Sequence, residues 1–372
     1  MFFVTFSNLW SFSFFFYLTY LVLITSLVLY TLPVVSTPLK FTSSRSKSEF
    51  MFINSFDVLY FIITPLVLII ATLSFWVAPS VSVWFGHVIV TSFQTKMAVL
   101  ITSNFFLVVI ALLSFVYFTS REVYDFIITL FNFFYWTTIL FFANTIFTTI
   151  FVIEVLSTLI FLLLITSSFS STFFYRNLNL SFGHLFQQST PFSYLQSILY
   201  FFWVSLISSL NLFLFCLLFY FKLFSLDWYL LEHVFLYFAS TATLREIASL
   251  GLTWFVLIFC IFLKCGIAPL YIWKPTFFKG VPFYTIFFYV CFFYFILFIF
   301  TIHLLTSYFS EIFYFYSHVT LLFVITGLVT LLFVICESYY LKVFLAMSSI
   351  LNSLFVILAL VTVHSTDLLL WM

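Results

Sequence analysis

The stretch FVLIFCIFLKCGIAPLYIWKP, residues 255–275, decides how this chain is read. It is apolar enough to enter a bilayer, yet Lys264 lies inside it and Gly266 and Pro269 follow at once. An ammonium at membrane depth is costly unless it pairs or meets water, so such a residue is a functional-site hypothesis by default. Pro269 also frees backbone carbonyls near the lysine and makes room for water. One acid stands at comparable depth: Glu154, in FTTIFVIEVLSTLIFLLLI, residues 147–165.

Composition sets the class. Apolar residues make up 65% of 372 and charged residues 6%, with a mean hydropathy of +1.28, and no water-soluble domain could bury that much apolar surface. Runs of eighteen or more apolar residues read as membrane-spanning helices. A net charge of +1 offers no basic field for nucleic acid. The bias to Phe, 63 residues against 6 Gly, fits an AT-rich, organelle-encoded gene. No basic residue precedes the first apolar run and no small-residue cleavage site follows it, so neither a signal peptide nor an Arg-rich transit peptide is expected. Five cysteines lie in or beside apolar runs with no CxxC pair, and read as small core residues rather than disulfides or metal ligands.

The expected fold is an all-α polytopic membrane protein of about ten transmembrane helices, at roughly 10–35, 51–78, 98–118, 124–143, 146–167, 194–222, 251–273, 283–307, 316–336 and 340–363. The segment 223–250 holds Asp227, Glu232, His233, Arg245 and Glu246, too many charges for a lipid-facing helix, and is expected to lie on the membrane surface. Loops then sort by sign. Those after odd-numbered spans, with the start of the tenth, carry Lys40, Arg45, Lys47, Arg121, Arg176, Lys274, Lys279 and Lys342, whereas those after even-numbered spans carry Lys96, Lys222 and Arg245. By the positive-inside rule the first group faces the compartment of synthesis and the N-terminus the opposite side. Ser205, Ser208, Ser209 and Asn211 in the sixth span and Gly327 in the ninth are candidate interruptions, or equally sites of close helix packing.

Glu154 falls about 12 Å and Lys264 about 20 Å into their spans at 1.5 Å per residue, which puts both in the middle third of the bilayer if the helices are neighbours. Such a pair supports a proton relay, because desolvation and the opposite charge act against each other on each group. The alternative is a static ion pair that locks two helices. Tyr271, Lys342, His318, Glu232 and His233 are weaker candidates for accessory relay residues; the last four are also explained by a wet or interfacial position. Gly-rich phosphate loops, nucleophile elbows and HExxH motifs are missing, so redox and nucleotide chemistry is expected elsewhere, with no cofactor or metal on this chain and structural phospholipids as its ligands.

These residues resemble a family. Lys264-Cys-Gly266-Ile-Ala-Pro269-Leu-Tyr271-Ile-Trp273-Lys-Pro275 is similar to the K-x-G-x-x-P-x-H-x-W-x-P stretch of subunit 2 of mitochondrial respiratory NADH dehydrogenase, complex I. ANTIFTTIFVIEVLSTLIFLLL resembles that family's fifth helix, LYFFWVSLISSLNLFLFCLLFY its sixth, and the run Lys342–Ile350 the start of its tenth. The resemblance implies an antiporter-like subunit of the membrane arm in the mitochondrial inner membrane. Its division would be three N-terminal helices (1–122), a first five-helix repeat (123–309) and the first two helices of a second, inverted repeat (310–372). It also implies proton translocation coupled to quinone reduction in an NADH:ubiquinone reductase, with Lys264 carrying the proton, Glu154 modulating it, and other membrane-arm subunits as partners.

The sequence departs from that pattern in four places. Tyr271 stands where the family has histidine, the eighth span PFYTIFFYVCFFYFILFIF has no lysine, Leu199 or a neighbour replaces the lysine that opens the family's sixth helix, and the sequence ends at Met372, soon after the tenth span. The last point leads to the expectation that a separate small hydrophobic chain supplies the remaining helices. Two rival readings stay open: a component of a free-standing cation/proton antiporter, and a scaffold subunit of the same complex that no longer moves protons.

Overall fold

The structure is a computed structural model that describes residues 81–107, 120–177, 191–233, 243–309 and 313–371, with scattered breaks inside those ranges, the longest at 336–339. The predicted spans 10–35 and 51–78 and most of 98–118 lie outside the described residues, as do Glu232 and Cys336. The chain forms two compact units, one of Met1–Ala143 with Thr158–Gly183 and the other of Asn144–Ser157 with His184–Met372.

Within the first unit, Val81–Val83 (β1) and Val88–Val90 (β2) form an antiparallel hairpin in which Val81 pairs with Val90. Gly86, at φ +88°, turns the chain between them. This hairpin is an addition to the all-helical expectation: each strand is only three residues long, too short for alternation to stand out in the sequence. Ala143, just past the helix Ser120–Phe142 (α1), bridges to Val88 of β2.

The helices that follow are Ile146–Asn177 (α2), Pro191–Leu223 (α3), Leu244–Cys265 (α4), Trp273–Gly280 (α5), Phe283–Phe288 (α6), Phe295–His303 (α7), Ser317–Ile335 (α8) and Leu341–Trp371 (α9). A π-helical turn, Tyr289–Tyr294, joins α6 to α7 without interruption, and a second, Leu304–Tyr308, extends α7. Among the described residues, six helical stretches are long and apolar enough to cross a membrane: 146–165, 194–222, 248–265, 285–306, 317–335 and 341–362. The chain is a multi-pass membrane protein.

Phe, Val, Ile and Thr are indifferent helix formers, so the length of these helices does not come from propensity. In lipid every backbone N–H and C=O needs a partner within the segment, and a helix is the way a single stretch provides it. The hydroxyls obey the same rule. Ser208 donates to the Ser205 carbonyl at 2.8 Å, Ser209 to Leu206 at 2.8 Å, and the Asn211 amide to Ile207 at 2.8 Å. Their hydrogen bonds stay inside their own helix, so α3 runs unbroken through the polar cluster, and of the two readings the sequence left open the interruption is not seen here.

α4 begins at Leu244, inside the segment expected to lie on the membrane surface. Glu246 accepts hydrogen bonds from the Thr243 backbone N–H (2.8 Å) and hydroxyl (2.9 Å), which ties the first turn to the residue before it. The start of α2 is fixed as well: Ile146 N–H donates to the Leu226 carbonyl at 2.9 Å and Trp228 N–H to the Asn144 carbonyl at 3.0 Å. These two anchors set the positions from which Glu154 and Lys264 project.

Candidate functional site

The span predicted as continuous over 251–273 stops at Cys265. Gly266 adopts the left-handed conformation, φ 62° and ψ 47°, where a side chain is disfavoured. Its N–H donates to Leu263 (3.3 Å) and the Ile267 N–H to Phe262 (2.8 Å), the paired bonds of a Schellman ending. A Cβ on Gly266 would also come within 3.0 Å of Lys274 Cδ and 3.2 Å of Trp273 Cζ2. Residues 266–272 then turn, with a cis Ala268–Pro269 bond, and α5 restarts at Trp273. The Trp273 indole reaches back to donate to the Leu263 carbonyl at 3.0 Å. One more α4 carbonyl, Cys265, accepts the Lys274 ammonium at 3.4 Å. The carbonyls of Phe262, Leu263 and Cys265 at this helix end are thereby satisfied inside the protein, as an interrupted helix at membrane depth requires.

α8 closes over this break. A Cβ at Gly327 would lie 2.7 Å from the Ala268 carbonyl oxygen and 2.9 Å from Ala268 Cβ, so only glycine lets the two backbones approach this closely. On the other side an aromatic cluster packs around α5. Phe201 stacks on Phe277 with centroids 5.4 Å apart, and Tyr289 lies 5.2 Å from Phe277 and 6.0 Å from Phe278.

Within this frame Lys264 Nζ meets Glu154 Oε1 at 2.5 Å, the single ion pair among the described residues. The lysine side chain is 7% exposed and the glutamate 24%, so the cation is the more deeply buried partner. Lys264 occupies the last turn of α4, where the negative end of the helix dipole favours a cation. Ser157, one turn beyond Glu154, keeps its hydroxyl 2.8 Å from the Glu154 carbonyl and 3.4 Å from Oε2. A charge-assisted bond of this kind is strong, and either partner left alone would be a buried, uncompensated charge.

Lys264 also lines two small cavities. The larger, about 50 Å³, is walled mainly by apolar side chains, with Thr149, Thr301 and Cys260 beside the lysine. The smaller, about 10 Å³, lies between Lys264, Ser157, Ser205, Trp273 and Phe293. On this measure a water molecule needs roughly 10–15 Å³ and two to four polar partners. The larger void has the room, and Lys264 with the two threonine hydroxyls gives it a polar corner.

The structure brings Glu154, Lys264 and Gly266 into one site, with Pro269 in the turn just beyond. Tyr271 is buried in that turn beside Thr330 of α8, whose hydroxyl donates to the Gly327 carbonyl at 2.9 Å. Lys342 donates to the Val281 carbonyl at 2.9 Å. His233 and His318 are exposed. None of these last three is bonded to the Lys264–Glu154 pair in the structure.

Lys274 was missed. The loop tally counts it among surface cations, but its side chain is fully buried, with the ammonium 3.6 Å from the centre of the Tyr294 ring. The signal was available: between Pro269 and Pro275 the sequence LYIWK stays apolar up to the lysine itself, which does not suit a solvated loop.

No family model matches the sequence, and no curated protein matches it. Solved structures do match by fold. A chain of respiratory complex I from Thermus thermophilus, determined with bound aureothin, superposes with a TM-score of 0.60 at 17% identity, over 92% of this chain and 64% of that one. This chain thus shares the fold of a chain of that complex and spans under two thirds of its length.

Proposed function

We propose that this chain is an antiporter-like membrane-arm subunit of respiratory complex I, of the subunit 2 type. It takes part in proton translocation coupled to quinone reduction in the mitochondrial inner membrane. The observation that carries the reading is the buried Lys264–Glu154 contact, at the end of a helix that breaks inside the membrane region. Lys264 holds the proton. Glu154 stabilises the charged form when close and releases it when the pair opens, since separating the two leaves the ammonium desolvated. Ser157 offers the carboxylate a second hydrogen bond, and the cavity beside Lys264 is the place where water would exchange the proton. The site residues are those of a proton path, and the chain binds no redox cofactor of its own.

The same reading gives three N-terminal helices, a five-helix repeat over 123–309 and the beginning of an inverted repeat over 310–372, in an organelle-encoded chain. Its partners are other membrane-arm subunits and lipid. The outward stripe of α8 formed by Leu322, Ile325, Val329, Leu332 and Phe333 suits a further hydrophobic chain packed beside the last two helices.

A second reading has one observation in its favour. Tyr271 replaces a titratable histidine of the resembled motif and lies beside Thr330, which suits a scaffold subunit with a locked pair. The free-standing antiporter reading differs in the company the chain keeps. A native gel of the organelle's inner membranes, stained for NADH oxidation and analysed by mass spectrometry, should place this chain in the active band. Finding it only in bands without NADH activity would overturn the complex I reading. Lys264→Ala in the assembled complex should lower the proton yield per NADH, and an unchanged yield would leave the scaffold reading standing.

A further inference from the structure

We propose that Lys274 is a second internal proton-holding residue of this chain, placed between the end of α4 and the packed face of α9. This rests on the proton-translocation reading above and extends it to a residue outside the Lys264–Glu154 pair.

Lys274 is 0% exposed, yet among the described residues no carboxylate touches it. Its contacts are the Cys265 carbonyl, at the long distance of 3.4 Å, and the face of Tyr294 at 3.6 Å. A carbonyl at the negative end of α4 and an aromatic face both attract a cation, so the charged form has a place to sit. Neither carries a full negative charge, so desolvation is not cancelled as it is at Lys264. The titratable groups beside it are Cys265 and Tyr294, with Lys342 at the start of α9 bonded to Val281; none of them is a carboxylate. α3 contributes only the aromatic Phe201 to the cluster on α5. A lysine held this way is balanced between ammonium and amine, whereas a purely structural lysine is held charged by an acid.

Both sides of Lys274 have polar groups. The Tyr294 hydroxyl donates to the Ser349 carbonyl on α9 at 3.4 Å and lies beside the Ser353 side chain, itself buried. The Tyr289 hydroxyl is buried with no hydrogen-bond partner among the described residues. Buried hydroxyls of that kind are ordinarily satisfied by water. The step is a simple exchange: one N–H bond of the Lys274 ammonium breaks, its proton passes to a water molecule as one O–H bond forms, and the amine keeps the electron pair.

Two measurements test this. In the full-length chain in lipid nanodiscs, with lysine labelled by 13C and 15N, the Lys274 Nζ resonance should titrate within the range where the protein stays folded. A resonance that stays in the ammonium form throughout overturns the proposal. In the assembled complex, Lys274→Arg retains a cation over Tyr294 but cannot release a proton, so it should lose most of the proton flux per electron. Wild-type flux in Lys274→Arg also overturns the proposal; if that variant does not assemble, the titration decides alone. Lys264→Ala in the same assay separates the two readings. Loss with Lys264→Ala but not with Lys274→Arg refutes only the role of Lys274, and no loss with either refutes proton translocation through this chain.

Discussion

Two lysines ten residues apart, on either side of one helix break, are buried by opposite means. Lys264, on the last turn of α4, is neutralised by Glu154 at 2.5 Å. Lys274, on the first turn of α5, has a carbonyl at 3.4 Å and a tyrosine face at 3.6 Å. The first is a charge pair whose members depend on each other; the second is a lone cation accommodated by dipoles and π-electrons. The contrast shows that burial alone does not define a lysine's chemistry: the nature of the acceptor decides whether loss of the proton is penalised.

The largest effect should come from splitting the pair. Lys264→Met leaves the Glu154 carboxylate buried without a cation and should destabilise the full chain by about 3 kcal/mol, near the lower end for broken buried pairs because Glu154 keeps some exposure. Glu154→Gln should cost a similar amount, and the double variant Lys264→Met/Glu154→Gln should recover much of it. Unfolding of the four proteins in lipid nanodiscs gives the coupling directly. Additive losses would mean that the two side chains do not depend on each other, and the contrast with Lys274 would vanish.

Next in size is the support common to both lysines. Gly327→Val places methyl groups against the Ala268 backbone, within the turn that separates the two sites. We expect a loss of about 1–3 kcal/mol from forced displacement of α8. Cysteine cross-linking between the 266–272 turn and α8 should show lowered efficiency; unchanged stability and cross-linking would mean that the close approach is not needed.

Lys274→Met gives the sharpest contrast. It removes a cation–π contact and relieves the desolvation of an unpaired charge, two terms of opposite sign, so stability should change by about 1 kcal/mol or less. A loss as large as that of Lys264→Met would show that Lys274 has a stronger anchor than Cys265 and Tyr294 supply.

The sequence announced much of this, for physical reasons. From the fourth span onward, runs of apolar residues predicted helices that the structure places within a few residues at most ends, because backbone satisfaction in lipid leaves little alternative. The position of Glu154, eight residues from the start of α2, was legible from the sequence, whereas Lys264 stands in the last turn of α4 and not midway along it, because the helix starts at Leu244 and ends at Cys265. Their contact depends on how α2 and α4 pack, which no local pattern carries. The break was legible at Gly266 and Pro269, although the helix was drawn on through residue 273. Ser205, Ser208, Ser209 and Asn211 left interruption and close packing both open in the sequence, since a hydroxyl or amide that bonds back along its own helix leaves no mark there; the structure keeps the helix whole. Lys274 was hidden by a charge tally that assigns every loop cation to water. Once the chain turns at Pro269 and re-enters as α5, the residue after Trp273 faces protein instead.

The smallest expected effect lies at the other end of α4, and it tests whether Lys264 is held by its pair alone or also by the helix that carries it. Thr243 donates its backbone N–H and hydroxyl to Glu246, and these bonds, the backbone one foremost, hold the Glu246 carboxyl below the usual carboxylate range. A lowered folded pKa means that the ionised form stabilises the fold, so the contribution is present above the unfolded value and fades as pH falls through the folded one. Hydrogen exchange of the first turn of α4 should therefore quicken in acid, and Glu246→Gln should quicken it at neutral pH and remove the acid dependence. Lys264 lies five helical turns away, near the break, where Gly266, Trp273 and Lys274 cap the helix independently. Exchange near Cys265 should stay unchanged in the variant. If it quickens together with the first turn, α4 opens as one unit, and the register of Lys264 against Glu154 is set from the Thr243 end as much as by the pair itself.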